Sequence, residues 1–291
     1  MTAAIVREIK KKFKPRSRNA HKGDFGRIFV LAGSEGLTGA AHLASLAALR
    51  AGAGLVTLGV PEKIYPVLAR RAAEVMVRPF PSTKQGALSA RSLKPILQFL
   101  ENQDVLALGP GLSQNPETQK VIREILVRSK LPMVIDADGL NALKGYLSHL
   151  KKCSGRTILT PHPGEFVRLF GGTLSQQEKN RKNRAAEIAS RFGVVLVLKG
   201  HRTIVANPDG KIYINATGNS GMATGGTGDM LTGMIAALIG QKFSLWDAAR
   251  FGVYFHGLAG DLAARKKGQV SLIAGDILDF LPTAFRKILL F

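Results

Sequence analysis

The chain has 291 residues, with 41 Lys and Arg against 20 Asp and Glu and a formal net charge of +21. Its 45% hydrophobic and 21% charged residues exclude a wholly disordered chain. The single cysteine, Cys153, excludes a disulfide framework and a thiolate metal cluster, and it fits a reducing cytoplasm.

The N-terminal segment is basic and lacks the apolar run of about 7 to 15 residues that a secretory signal requires. The apolar stretches are interrupted before they reach the roughly 18 residues that a membrane span needs. We therefore expect a soluble, cytoplasmic protein that does not associate with membranes. Residues 1–20 are interpreted as a basic N-terminal extension, and residues 21–291 as a single domain.

Short β-rich runs alternate along the chain with longer segments of helical periodicity. The predicted strands are Arg27 to Leu31, Leu55 to Val60, Val105 to Leu108, Met133 to Ile135, Thr157 to Leu159 and Val194 to Leu198. The helical segments between them include Ala40 to Arg50, Glu117 to Val127 and Ala185 to Phe192. Apolar strands separated by helices predict an α/β fold, with a mostly parallel central sheet covered by helices on both faces.

The C-terminal third begins with a predicted hairpin. An Asp-Gly turn signal at Asp209 lies between the runs Thr203 to Ala206 and Lys211 to Ile214, which predicts an antiparallel edge pair. A glycine-rich loop and three helices follow, at Met230 to Ile239, Trp246 to Arg265 and Ile273 to Leu290, with a break expected at Pro282.

Polar or glycine residues follow five of the predicted strands. Each group alone would be an ordinary turn, but ligands of doubly wound sheets bind beyond the carboxyl ends of the strands. Five such groups in one chain therefore predict a shared pocket. They are Ala32-Gly33-Ser34, Gly109-Pro110-Gly111, Asp136-Ala137-Asp138, Thr160 to Glu165, and Lys199 to Thr203.

The glycine-rich loop at 218–229 precedes a helix and is the most informative stretch. Its glycines allow backbone N–H groups to turn toward one point, and a helix N-terminus favours anions. We predict an anion hole for phosphate, made by Gly225, Gly226, Thr227 and Gly228. Asp229 either caps the helix or accepts a proton from a substrate hydroxyl while the loop holds the transferring phosphoryl group.

The sequence gives weaker support to other kinds of site, such as standard nucleotide-binding motifs or a metal site. The chain has no P-loop motif, and Gln114 replaces the third glycine that a dinucleotide-binding fingerprint would place after Gly109. His162 and Glu165 could ligate a metal, form a turn or contact substrate. Flanking prolines oppose a helix there and no third ligand is evident, so no metal site is predicted. Lys199 could be either an ordinary surface lysine or a ligand contact.

The positive charge raises the alternative of a nucleic-acid-binding protein. The basic residues form separate clusters without the interleaved aromatic residues that single-strand binding uses. We therefore expect no nucleic-acid partner. The clusters are Lys10 to Lys14, Lys151 and Lys152, Lys179 to Arg184, and Arg265 to Lys267.

Taken together, the motifs resemble the ribokinase-like superfamily and, within it, the ADP- or ATP-dependent NAD(P)H-hydrate dehydratases. The resemblance covers about residues 21 to 282. It rests on HKGDFG at His21, AGS at Ala32, TGAAHLASLAALRAGAG at Thr38, GPGL at Gly109, VIDADGLNAL at Val134, ILTPHPGE at Ile158, VLKGHRT at Val197 and TGNSGMATGGTGDMLTG at Thr217. Ser113 stands where a glycine is expected, a departure confined to one loop.

The resemblance implies a metabolite-repair reaction. The S epimer of hydrated NADH or NADPH would lose water through phosphorylation of its ring hydroxyl and departure of phosphate. ADP or ATP would be the co-substrate and Mg²⁺ the cofactor. A separate NAD(P)H-hydrate epimerase is also implied, because many relatives carry a fused epimerase domain for which this chain has no room. A homo-oligomer is implied because homo-oligomers are common for this fold. The alternative within the fold is a kinase for a small vitamin-type alcohol.

The resemblance also implies roles for individual residues, with Asp229 as the catalytic base. The nucleotide would be bound by Lys199, Gly200, His201, Arg202, Thr203 and Gly228. The hydrated dinucleotide would be bound by Ala40, Ala41, Gly111, His162 and Asp229.

Overall fold

A nine-stranded sheet forms the centre of the computed structural model, which describes residues 2–71 and 73–289. The strands are β1 (Arg27–Leu31), β2 (Leu55–Pro61), β3 (Met76–Phe80), β4 (Val105–Leu108), β5 (Met133–Ile135), β6 (Thr157–Leu159), β7 (Val195–Leu198), β8 (Ile204–Ala206) and β9 (Ile212–Ile214). Their spatial order is β3-β2-β1-β4-β5-β6-β7-β8-β9. The first seven strands are parallel, and β8 and β9 form the predicted antiparallel edge pair.

The predicted strands are confirmed to within one residue at each end, and β3 is the strand that the sequence interpretation missed. It lies at the edge of the sheet, where Met76, Arg78 and Pro79 are exposed. Proline cannot donate to a β-ladder and is confined to edge strands, so the sequence signal for this strand is weak.

Helices cover both faces of the sheet. They are α1 (Thr2–Lys12), α2 (Thr38–Arg50), α3 (Tyr65–Ala69), α4 (Leu93–Leu100), α5 (Pro116–Arg128), α6 (Asp138–Asn141), α7 (Ser148–Lys152), α8 (Pro163–Phe170), α9 (Glu178–Phe192), α10 (Thr227–Gly240), α11 (Leu245–Lys267) and α12 (Ala274–Leu289). Alternate residues of each strand point to opposite faces, so Ile28 and Val30 join one core while Phe29 and Leu31 join the other. Helices α1, α2, α10, α11 and α12 pack on the first core, and α4 to α9 on the second.

Helix α10 lies at the middle of the first face and is buried from Met230 to Gly240. An apolar surface all around a helix is expected for one enclosed by other elements. Gly233 permits close contact with α2, because a β-carbon there would lie 1.9 Å from the Ala44 carbonyl oxygen. This packing fixes the direction in which the N-terminus of α10 points.

The N-terminal segment contains a helix that packs on the first core. Ile5 and Ile9 of α1 are buried, and Phe13 follows at the same spacing. Glu8 and Lys12 form ion pairs with Arg250 and Asp247 of α11. The basic stretch therefore contains an apolar residue at every fourth position, which is the spacing of one face of a helix.

The C-terminal helix differs from the prediction at Pro282. Helix α12 continues from Ala274 to Leu289 with Pro282 in its interior, so the expected break was wrong. The residues around it, Leu281 and Ala284, are buried, and this packing maintains the helix despite the missing N–H group. The predicted terminal residue Leu290 lies outside the described residues. Among the described helices, none has the length and apolar character needed to cross a membrane.

Candidate active site

The five polar strand ends lie next to one another. They follow β1, β4, β5, β6 and β7, which are consecutive in the sheet. Gly33 donates its N–H group to the Pro110 carbonyl oxygen at 2.8 Å, and Ser34 donates its hydroxyl to the Gly111 carbonyl oxygen at 2.8 Å. At the other end, Lys199 donates its N–H group to the Pro161 carbonyl oxygen at 2.9 Å. The carboxyl edge of the sheet therefore forms one continuous polar floor.

A cavity of about 500 Å³ opens beside this floor. All six residues that the sequence interpretation assigned to nucleotide binding line this cavity, namely Lys199, Gly200, His201, Arg202, Thr203 and Gly228. The remaining walls come from the 215–223 segment, from Thr227 and Leu231 of α10, and from Val253, His256 and Gly257 of α11.

The loop after β7 is fixed from behind by α9. Arg181 donates from Nη1 to the His201 carbonyl oxygen at 2.7 Å, and Arg202 donates from Nε to the Glu178 carboxylate at 2.6 Å. Gly200 has a φ of +133°, a conformation that favours glycine, and Arg202 has a φ of +54°. The loop is thus held in one shape although much of its surface faces the cavity.

The four residues predicted to form an anion hole lie at the start of a helix: Gly225 and Gly226 precede it, and Thr227 and Gly228 are its first two residues. Helix α10 begins at Thr227, preceded by Gly226 with a φ of +91°, and no side chain caps this end. The first N–H groups of a helix have no intrahelical acceptor and carry a partial positive charge. Thr227 donates its hydroxyl to the Met222 and Thr224 carbonyl oxygens, each at 3.1 Å, which fixes the loop against the helix.

A buried cluster of polar and charged side chains lies behind this helix end. The Lys199 ammonium group donates to Asp136 Oδ1 at 2.7 Å, and the Thr232 hydroxyl donates to Asp136 Oδ2 at 2.8 Å. Glu165 Oε2 lies 3.9 Å from Lys199 Nζ. Burial alone would lower the pKa of Lys199, but the charges of Asp136 and Glu165 outweigh it and raise this pKa, so the side chain is a cation.

Asp229 lies in the first turn of α10, close to Asp136, Lys199 and Glu165. Burial, followed by the negative charge of Asp136, raises the pKa of Asp229 to about 7, although Lys199 opposes the shift. Asp229 is the third residue of α10, and the N-cap position is occupied by Gly226, which has no side chain. The structure therefore favours neither a cap nor a permanently ionised carboxylate, but a group that exchanges a proton near neutral pH.

The residues assigned to the hydrated dinucleotide are not among those that line the cavity. A β-carbon at Gly111 would be 3.0 Å from the β-carbon of Ala40, so these two residues are in contact. Ala40 is half-buried, whereas the Ala41 side chain is fully buried beneath Gly33, so Ala40 is the alanine that a ligand can reach.

His162 precedes α8 and caps it. Its Nδ1 atom accepts hydrogen bonds from the N–H groups of Gly164 at 3.0 Å and Glu165 at 3.3 Å, and the Glu165 carboxylate accepts from the His162 N–H group at 2.8 Å. Pro163 takes the first helical position, where proline is favoured, instead of preventing a helix. Because Nδ1 is an acceptor, the neutral ring carries its proton on Nε2, on a side chain that is half exposed.

The sequence interpretation assigned no individual role to three polar residues of the site. Asp136 was noted only as a strand end, and Thr232, in the interior of an apolar helix, gave no signal. His256 lines the cavity, and burial lowers its pKa to about 4, so its ring is neutral at pH 7. Its helix reads as a continuous apolar pattern in which a single histidine is not distinctive.

No group of three or more His, Cys, Asp or Glu side chains within residues 2–71 and 73–289 is arranged to hold a metal ion. Mg²⁺ seldom needs such a cage, because it is commonly bound by one or two carboxylates together with substrate phosphates. The buried Glu165 carboxylate beside Lys199 is a donor of that kind.

Comparisons with known proteins show the family to which the chain is similar. The family model of NAD(P)H-hydrate dehydratase matches residues 28–283. The bifunctional NAD(P)H-hydrate repair enzyme of Moorella thermoacetica is 50% identical over 273 residues, which are 94% of this chain and 52% of that protein. The chain thus spans about half the length of such bifunctional relatives. The ADP-dependent (S)-NAD(P)H-hydrate dehydratase of Bacillus subtilis is 35% identical, and the alignment covers 94% of this chain and 93% of that protein.

Solved structures of similar proteins have the same fold. The ADP/ATP-dependent NAD(P)H-hydrate dehydratase of Bacillus subtilis, co-crystallised with ATP and Mg²⁺, superposes with a TM-score of 0.82, 30% identity and 97% coverage of both chains. A ribokinase-like superfamily protein of Enterococcus faecalis superposes with a TM-score of 0.81, 27% identity, and coverage of 99% and 95%. The predicted ribokinase-like α/β fold and the predicted family resemblance are confirmed.

Proposed function

This chain belongs to the NAD(P)H-hydrate dehydratase family, and we propose that it converts the S epimer of hydrated NADH or NADPH back to NAD(P)H at the expense of ADP or ATP. The observation that carries the proposal is the position of Asp229. It lies in the first turn of α10, directly after Gly228, which lines the cavity, and the charge of the buried Lys199 acts on it. A base at that point lies between a bound nucleotide and a hydroxyl held on the substrate side.

The reaction follows from the chemistry of the leaving group. Hydroxide leaves poorly, so the ring hydroxyl is first phosphorylated: its oxygen attacks the terminal phosphorus, the bond to the nucleotide breaks, and Asp229 accepts the hydroxyl proton. The ring nitrogen lone pair then expels phosphate as the C–O bond breaks. Loss of a proton from the neighbouring carbon restores the dihydronicotinamide. Water leaves the substrate overall, and the nucleotide loses one phosphate.

The protein's own residues provide the electrostatics of this transfer. The N–H groups at the start of α10 and the Lys199 ammonium group face the same region and stabilise negative charge on the transferring group. A glycine at 228 keeps this space open, because a β-carbon there would lie 3.1 Å from Lys199 Nζ. Bound Mg²⁺ would neutralise phosphate charge, and the Glu165 carboxylate near Lys199 would be an oxygen donor for it.

We expect recovery of NAD(P)H to require a nucleotide. Incubating the purified protein with the hydrate and either ADP or ATP should restore dihydronicotinamide absorbance, with one phosphate released for each molecule recovered. The matched control omits the nucleotide. Recovery without a nucleotide would refute the phosphorylation step, and accumulation of a stable phosphate ester would instead indicate a small-alcohol kinase.

Turnover should rise as the pH increases through about 7. Asp229 must be ionised to accept a proton, and its pKa is raised to about 7, so the carboxylate is mostly protonated at pH 6 and mostly ionised at pH 8. A pH profile of kcat/KM, which reports the pKa values of the free protein, measures this rise. A flat profile from pH 5.5 to 8.5 would exclude Asp229 as the titrating base.

The proposed function also includes a partner activity, a cellular location and an oligomeric state. The relatives that resemble this chain over half their length are named bifunctional repair enzymes, and an epimerase that supplies the S epimer is a partner activity of this reaction. A cytoplasmic location follows from the same substrate, and a homo-oligomer remains a prediction.

A further inference from the structure

We propose that Asp136, supported by Thr232, is a positioning residue that holds the Lys199 ammonium group at the junction of the two substrate sites until a phosphate group replaces it as the counter-ion. The inference rests on the proposed function, and it concerns a residue with no place in the roles given above.

The contacts around Asp136 fix its carboxylate from two directions. Oδ1 accepts from Lys199 of the loop after β7, and Oδ2 accepts from Thr232 of α10, so strand and helix are connected through one side chain. Asp136 is 1% exposed. The backbone at Asp136, directly after β5, lies close to Gly109. A β-carbon at position 109 would be only 1.9 Å from the Asp136 carbonyl oxygen, so this contact requires glycine.

A buried ion pair rarely stabilises a protein more than apolar packing would, because removing both charges from water is costly. This pair also differs from a sealed structural pair. Lys199 lines the cavity, and the missing side chain at Gly228 leaves its ammonium group adjacent to the start of α10. One end of the pair is therefore accessible to an anionic ligand while the other end is anchored.

The charges facing Asp229 make the role testable. They come from Asp136, Lys199, Glu165 and Asp138. After burial, Asp136 is the largest of the influences that raise the pKa of Asp229. Removing the Asp136 charge should lower that pKa, and it should also leave Lys199 with excess positive charge in the cavity.

The experiment compares Asp136→Asn with Thr232→Val. Asp136→Asn keeps the side-chain shape but removes the charge, so we expect ADP and ATP to bind about 3- to 10-fold tighter in calorimetric titrations. Turnover should nevertheless fall by roughly tenfold or more because Lys199 is no longer held in place. The acid limb of the kcat/KM profile should move to lower pH, because the charge of Asp136 raises the pKa of Asp229.

Thr232→Val is the matched control, because it keeps the Asp136 charge and removes only the Thr232 hydroxyl, which donates to Asp136 at 2.8 Å and to the Gly228 carbonyl oxygen at 3.3 Å. We expect nucleotide affinity within about twofold of the parent, an unmoved acid limb and a several-fold lower turnover. A merely structural Asp136 would give weaker nucleotide binding and an unmoved limb in Asp136→Asn, which would overturn the proposal. If Asp136→Asn does not fold, unchanged turnover in Thr232→Val overturns it instead.

The titrations separate this proposal from the proposed function. Nucleotide binding is measured without the hydrate, so it reports on Asp136 even if the parent protein fails to restore NAD(P)H. Failure of the parent in the hydrate assay would refute the function alone.

Discussion

Replacing Asp229 with asparagine is expected to lower turnover by about 10²- to 10⁴-fold, the usual contribution of a positioned general base. Asparagine has nearly the same shape but cannot accept the hydroxyl proton. Because the cavity is lined by other residues, nucleotide affinity should change little. Steady-state kinetics with the hydrate, paired with calorimetric titration of ADP, separate the two effects.

The same variant has a second readout in stability. The pKa of Asp229 is raised from an ordinary value of 3.8 to about 7, so between about pH 4 and pH 7 the folded protein binds a proton that the unfolded chain has lost. The free energy of unfolding of the parent therefore falls as the pH rises through this window. Asp229→Asn lacks that loss and should melt at a higher temperature than the parent at pH 8, with a smaller difference at pH 5.

Turnover of Asp229→Asn within a few-fold of the parent would remove Asp229 from the mechanism. Asparagine is a good helix cap, so a capping role would also leave stability nearly unchanged at every pH. The observed geometry already argues against such a role, since Gly226 is the N-cap of α10 and Asp229 is its third residue.

Much of the fold could be predicted because the relevant signals are local. Apolar runs such as Val105 to Leu108 are buried on both sides, and their ends coincide with the observed strands. The sheet is parallel because helices separate these runs. The five polar strand ends then had to meet at one edge, and this brought Lys199 and the Gly109 loop to the site without any knowledge of their contacts.

The remainder depends on contacts between distant parts of the chain. Asp136 and Thr232 are separated by 96 positions, and neither lies in a pattern that indicates a partner. Helix α1 was overlooked because its lysines and arginines conceal the spacing of Ile5 and Ile9. Asp229 was expected in a loop, whereas the helix begins two residues earlier, at Thr227, because glycine at 226 can adopt the left-handed conformation that precedes it.

Alanine at position 226 is expected to disrupt both the fold of this loop and its chemistry. Gly226 has a φ of +91°, which costs a non-glycine residue about 1 to 2 kcal/mol. An added β-carbon would also lie 2.4 Å from Leu43 Cδ1 and 3.2 Å from Ala274 Cβ. To relieve these contacts, the start of α10 must shift, and misplaced N–H donors to a developing charge typically cost about 10²-fold in kcat. We therefore expect Gly226→Ala to melt several degrees lower and to lose roughly this factor in turnover.

The neighbouring glycine provides the matched control for stability. Gly225 does not have a positive φ, and a β-carbon there would meet nothing within 4 Å, so Gly225→Ala should unfold within about 0.5 kcal/mol of the parent. Thermal melts of both variants, followed by hydrate turnover with ATP, test the difference. Equal melting temperatures would show that the left-handed conformation is not required. A destabilised Gly226→Ala with parental turnover would show that phosphoryl transfer does not depend on the N–H groups at this helix end.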